Sequence, residues 1–196
     1  MKKIFLISAV LVLIFSGKLS ADLSKNIQRI SEGKENAKIT IITYESLTCN
    51  HCANFHKDVY PELKKEFIDK GLVKIEFRHF PLDLAAFTAS KISQCNNDGK
   101  SDVIHILFAN QQKWAKGETI EEANEYLKQV LKDEGINVDF EKCTSDKGIE
   151  DYVLNDRIEG VKKFKVNATP TIIINDKKFD KPLNYKNLKK FLEKLI

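Results

Sequence analysis

Apolar residues recur along this chain in two periods, and the order in which the periods alternate outlines a fold. Residues 38–44, with Ile39, Ile41 and Ile42 among threonines, read as a strand. In 53–68, Phe55, Val59, Leu63 and Phe67 recur every four residues and share one helical face. Pro61 inside that pattern predicts a kink or break, and Gly71 closes the segment. Residues 73–80 alternate apolar and polar, the period of a half-buried strand, until Pro81 ends them. From 85 to about 163 helical patterns dominate. Ile104, Leu107 and Phe108 form one apolar set, Tyr126, Leu127, Val130 and Leu131 another, with breaks at Gly117 and Gly135. Strand character returns at 171–174, Asn175-Asp176 reads as a turn, and 177–179 as the returning strand. A short amphipathic helix carrying Leu188, Phe191, Leu192 and Leu195 occupies 184–196. Residues 22–36 are polar and read as a flexible lead-in.

The order is strand, helix, strand, long helical stretch, hairpin, helix. It predicts one α/β domain over 22–196 with a helical insertion at about 85–163, rather than two tandem domains. A chain of 196 residues is long enough for that core.

Composition adds little to this picture, with 42% hydrophobic and 31% charged residues. Charge adds more. Of the net +4, three charges (Lys2, Lys3 and Lys18) lie in the first 21 residues, which hold no acid. The balance gives no reason to expect a nucleic-acid partner. Those 21 residues read as a secretory signal. Two lysines open it, an apolar run from Phe5 to Phe15 is broken only by Ser8, and Ser20-Ala21 offers small residues for cleavage before Asp22. The alternative is an uncleaved anchor, for which the run is shorter than the ~20 residues that span a bilayer.

Export places all four cysteines in an oxidising compartment. Four cysteines allow three pairings, and the close spacing favours Cys49 with Cys52 and Cys95 with Cys143. Cys49 follows a strand and Cys52 lies in the opening of a helix. A thiolate on Cys49 gains from the free N–H groups and dipole there. His51, when protonated, adds a positive charge. Cys52 is close enough to form or resolve a disulfide with it. Zinc binding by Cys49, Cys52 and His56 is the competing reading, but no second CxxC or His-x-His completes it. Ala53 after the second cysteine rejects covalent haem attachment. Thr169-Pro170-Thr171 opens the late strand, where a proline can be cis and expose backbone to an extended peptide, or be an ordinary trans strand-edge residue.

Together these pieces resemble the DsbA-like branch of the thioredoxin superfamily. The matching set is the strand into Cys49-Asn50-His51-Cys52, Phe55-His56, Phe77-Arg78-His79-Phe80-Pro81-Leu82, His105-x-Leu107-Phe108 with Trp114, and Ala168-Thr169-Pro170-Thr171. It covers roughly 33–196. The resemblance implies a thioredoxin-like fold with an inserted helical domain. Cys49 would be the exposed nucleophile, Cys52 the buried resolving cysteine, and His51 their tuner. Pro170 would be a cis-proline facing them, with Thr169 contributing backbone to substrate. A second disulfide in the insertion matches Cys95 and Cys143, which could otherwise be independent buried thiols. The dipeptide Asn50-His51 replaces the familiar Pro-His. Some members carry an acid beneath the pair. Read without gaps that position is Thr43, and the nearby Glu45 reads as a solvated strand-end charge rather than a proton shuttle. The other histidines read as structural: His56 packing on the first helix, His79 facing outward or closing a strand end, His105 in the insertion. Trp114 reads as core or groove lining.

The expected activity is a periplasmic dithiol oxidase that introduces disulfides into reduced exported proteins. A DsbB-type, quinone-linked membrane partner would reoxidise it, with no small-molecule cofactor or metal. An isomerase or reductase is the nearest alternative. The few residues between Asp22 and the start of the resemblance leave no room for the added dimerisation domain of known isomerases, so a monomer is expected. A metal-binding or metallochaperone module is the alternative of another class.

Overall fold

The computed structural model describes residues 27–196; the signal-peptide reading of 1–21 and the start of the lead-in lie outside them. A five-stranded sheet of order β1-β3-β2-β4-β5 forms the frame. Its centre is β2 (Ile39–Glu45), which is parallel to β3 (Val73–His79) and antiparallel to β4 (Thr171–Ile174). The edges are β1 (Ser31–Glu32), antiparallel to β3, and β5 (Lys177–Lys178), antiparallel to β4. Asn175 and Asp176 both have positive φ, as a two-residue hairpin turn requires.

The lead-in is not flexible throughout. Ile30 is fully buried, and Ser31 and Glu32 pair with β3 as the sheet's edge. The first helix also differs from its expected bounds. It begins at Asn50 as α1 (Asn50–Asp58) and breaks at Val59, whose φ of −118° leaves the helical range. Pro61 lies in the first turn of α2 (Tyr60–Leu63), where its missing N–H costs nothing. A π-helical turn, Lys64–Ile68, follows.

Between β3 and β4 run six helices: α3 (Leu84–Gln94), α4 (Asp102–Ala109), α5 (Gln111–Trp114), α6 (Ile120–Asp133), α7 (Phe140–Ser145) and α8 (Lys147–Phe164). α9 (Tyr185–Leu192) ends the fold on Leu188 and Leu192. The amphipathic face of α6 is Ala123, Leu127, Val130 and Leu131. Tyr126, expected on it, is 41% exposed because it sits one position around the helix.

The sheet is covered on both faces. One face joins the main core of Ile39, Ile41, Val73, Ile75 and Phe77 with α1 and the inserted helices. The other carries a smaller cluster of Ile42, Tyr44, Phe80, Phe164, Val166 and Ile173 under α8. Gly160 of α8 lets that helix lie directly on the Tyr44 ring: a Cβ there would sit 2.7 Å from Cε1. Trp114 is fully buried and donates its indole N–H to Leu107 O at 2.9 Å.

Two readings of polar residues are corrected. Glu45 is buried, not solvated; His79 closes the end of β3, one of its two expected places, and is buried there rather than facing outward, with Nε2 3.2 Å from Gln94 Oε1. Each shares the inward phase of its strand with the apolar residues before it.

Candidate active site

The β2 chain leaves the sheet at Glu45, turns through Ser46-Leu47-Thr48, and enters α1 with Cys49 as the N-cap residue. Cys49 is extended (φ −78°, ψ 118°), and the backbone N–H groups of His51 and Cys52 in the first turn reach its sulfur. No acidic residue lies in that turn to oppose an anion. The Cys49 pKa falls from 9.0 to about 5. The largest cause is the hydrogen bond donated by the Cys52 thiol; Thr169 and the backbone N–H groups of Cys52 and His51 add to it, against the cost of partial burial.

Cys52 behaves oppositely. It is fully buried, and burial pushes its pKa far up, with the Glu45 charge adding to the rise and the Ser46 N–H partly offsetting it. The pair therefore divides into an accessible sulfur that ionises readily and a buried one that holds its proton. Both are thiols in this structure, whereas Cys95 and Cys143 are joined in a disulfide tying the end of α3 to α7.

Across from Cys49, the Thr169–Pro170 peptide bond is cis. The antiparallel register of β4 on β2 matches Thr171 to Tyr44, which sets the residues just before β4 against the start of α1. The Cys49 thiol donates to Thr169 O at 3.4 Å. Once Cys49 ionises that bond is lost, and the Thr169 hydroxyl joins the Cys52 thiol and the backbone N–H groups as a donor to the thiolate. A groove of about 490 Å³ runs past this point, lined by His51, Asn54, Phe55, Thr169, Pro170 and Tyr185. His51 is exposed on its wall.

Several site residues were not identified from sequence. Gln111 of α5 is buried and donates Nε2 to Leu47 O (2.8 Å) and Cys49 O (3.1 Å), bracing the active-site turn from the inserted helices. Thr48 Oγ1 donates to Asp83 Oδ2 at 2.6 Å, while Asp83 Oδ1 caps α3. Neither residue type carries a local signal for such a role. His56, the third zinc ligand of the metal reading, is turned away from the cysteines, with Nε2 on Glu45 (2.9 Å) and Nδ1 on His105 (3.1 Å). Among the described residues no cluster of three or more His, Cys, Asp or Glu is placed to hold a metal ion.

Comparison with known proteins agrees with this geometry. The family described as Thioredoxin matches residues 25–194. A Rickettsia bellii protein named as a protein-disulfide oxidoreductase is 29% identical over 150 residues, covering 73% of this chain and 55% of its own. Disulfide bond formation protein D of Bacillus subtilis is 29% identical over 175 residues, covering 83% of this chain and 74% of its own. The crystal structure of α-DsbA1 from Wolbachia pipientis superposes with a TM-score of 0.76 at 29% identity, covering 85% of this chain and 90% of that one. The chain thus spans about half the length of the Rickettsia relative and most of the solved structure. On these matches the chain belongs to the thioredoxin family, in its DsbA-like branch.

Proposed function

We propose that the protein is an exported thiol–disulfide oxidoreductase that acts as a dithiol oxidase through Cys49 and Cys52. The observation that carries this reading is the opposition within the pair. Cys49 is held down to about 5 at a helix N-terminus, and Cys52 is pushed up by burial. A readily formed thiolate stabilises the reduced enzyme and makes its disulfide the stronger oxidant.

In the oxidised enzyme a substrate thiolate attacks Cys49, the Cys49–Cys52 bond breaks, and Cys52 leaves with the electron pair. A second substrate thiolate then attacks the substrate sulfur of the mixed disulfide and Cys49 leaves as thiolate. The substrate has lost two electrons and the enzyme has gained them. Thr169 and Pro170 receive the extended substrate backbone, and His51 tunes the pair from the groove wall. Cys95–Cys143 is structural. Substrates are reduced exported proteins in the periplasm, and a DsbB-type quinone-linked membrane protein restores the disulfide without a soluble cofactor. The enzyme acts as a monomer. No helix among the described residues is long and apolar enough to cross a membrane.

The test is the equilibrium potential of Cys49–Cys52 in glutathione buffers, together with oxidation of a reduced, unfolded substrate protein. A potential well above thioredoxin's ~−270 mV, with net substrate oxidation, is expected. A potential at or below that value means a reductase. Rearrangement of scrambled disulfides without net oxidation means an isomerase.

A further inference from the structure

The groove of about 490 Å³ beside the redox pair has two ends of different character. At one end Thr169 and Pro170 stand against Cys49. At the other, α1 closes with Asp58. His51, Phe55 and Asp58 follow one another along α1 at helical spacing and line the same wall. At the helical rise the step from His51 to Asp58 spans about 10 Å. An extended peptide lying along that wall covers the distance in about three residues.

The floor and the far end call for different chemistry. Phe55 and Val59 are buried, and with Leu183 they give the groove an apolar floor. Asp58 is exposed, and it is the one acid among the described residues that line the groove. An apolar floor that ends at a carboxylate fits a side chain with a long aliphatic stem and a cationic head. Lysine and arginine have that form: their stems lie on apolar surface while the charge stays in water. A purely apolar side chain would leave the carboxylate unmet, and an acidic one would be repelled.

The fold itself makes no use of Asp58. Its side chain forms no hydrogen bond or ion pair with any of the described residues. Lys57, next to it in sequence, lines a separate groove against the inserted helices. Lys189, on the α9 side, is held by Glu66 at 2.6 Å. Asp58 also stands in the last turn of α1, at the negative end of that helix's dipole, where a cation is favoured and a carboxylate is not. An unpaired acid at that position costs stability rather than adding to it. The carboxylate and the carbonyl end of the helix together make this end of the groove attractive to a cation from outside the chain.

We propose that Asp58 determines specificity, selecting substrate segments that carry a lysine or arginine about three residues from the reactive cysteine. The inference deepens the thiol–disulfide reading above and rests on it. While the substrate sulfur is joined to Cys49, its backbone lies against Thr169 and Pro170 and the segment continues along α1. The cationic side chain lays its stem over Phe55 and Val59 and its head on Asp58. Asp58 lies to one side of Cys49, so the preference belongs to a single position, before or after the substrate cysteine, and not to both. Asp58 acts on recognition and leaves the chemistry of the sulfurs to the cysteine pair.

The test uses the reduced full-length protein and short peptides whose single cysteine is capped as a mixed disulfide with thionitrobenzoate. The Cys49 thiolate attacks the peptide sulfur, the mixed disulfide breaks, and thionitrobenzoate leaves as a coloured thiolate whose release gives the second-order rate constant. The peptides carry lysine or glutamate about three residues before or after the cysteine. At about 0.01 M ionic strength the wild type should favour lysine over glutamate about fivefold at one of the two positions, and the ratio should approach one at about 1 M. Asp58→Asn should bring the low-salt ratio close to one, and Asp58→Lys should invert it. A wild type with no preference overturns the inference, as does a preference that survives in both variants. Variants that slow every peptide alike and keep the ratio mean a structural role for Asp58 and overturn it too. A wild type that releases thionitrobenzoate from no peptide sinks the thiol–disulfide reading, and the inference with it. Release without discrimination sinks the inference alone.

Discussion

The low pKa of Cys49 fixes how the redox potential must change with pH. Reducing a disulfide to two thiols takes up two protons with two electrons, so the potential falls by about 59 mV per pH unit while both thiols stay protonated. It falls by about 30 mV per unit once one is ionised. With Cys49 lowered from 9.0 to about 5 and Cys52 pushed upward, the change of slope belongs near pH 5, not near pH 9. At pH 7 a two-unit gap favours the reduced form about 100-fold, about 59 mV or about 2.7 kcal/mol before screening. Cys49 is partly open to water, which screens its partners, so roughly half of that is expected. The sign is that of a depressed acid: the stability gained by the reduced protein is fully present above pH 9 and lost as pH falls through about 5. Potentials measured against glutathione from about pH 4 to about pH 9, with the thiolate followed by its ultraviolet absorbance, read both quantities. In Cys52→Ala, Cys49 loses its largest stabilising bond and its midpoint should rise, while Cys52→Ser keeps a donor and should hold it lower. A single slope of about 59 mV per unit up to pH 8 would refute the assignment of the helix terminus and Cys52 as the source of activation.

Gly160→Ala should lower the urea midpoint, because the new methyl meets Tyr44 Cε1 at 2.7 Å and Cδ1 at 2.9 Å. Overpacking of about 1–3 kcal/mol outweighs the ~1 kcal/mol that alanine adds to helix propensity, and a raised midpoint would contradict this packing. Replacing Cys95 and Cys143 together by alanine opens a loop with a sequence separation of 48. Chain entropy predicts a loss of about 4 kcal/mol in denaturant unfolding, with the Cys49 titration unmoved; a shifted titration would link this disulfide to the redox pair. Gln111→Met fills the same space but leaves the carbonyls of Leu47 and Cys49 without their side-chain donor. A loss of about 1–3 kcal/mol is expected by the same assay, and an unchanged midpoint would mean that water replaces the amide.

Much of the frame was legible because it depends on local periods. Alternation marked β3, the four-residue spacing marked the first helical stretch, and the cysteine pair marked where a strand gives way to a helix. The exact helix start and the break at Val59 were not legible, since Pro61 drew attention to itself while fitting the first turn of α2. The buried polar residues escaped for a different reason. Glu45 and His79 stand in the inward phase of their strands, as Ile39, Ile41, Val73, Ile75 and Phe77 do, but residue type was allowed to override phase. His105, Gln111 and Asp83 could not be assigned from local sequence, because their partners lie 73, 62 and 35 residues away. A buried carboxylate–imidazole pair is weak evidence for stability, since packed apolar side chains serve a core as well or better. Glu45 and His56 nonetheless interrupt the core with a buried polar contact, Nε2 to Oε2 at 2.9 Å. The inserted helix α4 supplies His105, which meets His56 of α1 and Glu32 of β1, so the insertion does more than cover the sheet: it ties the first helix to the edge strand through polar contacts that only the folded chain brings together.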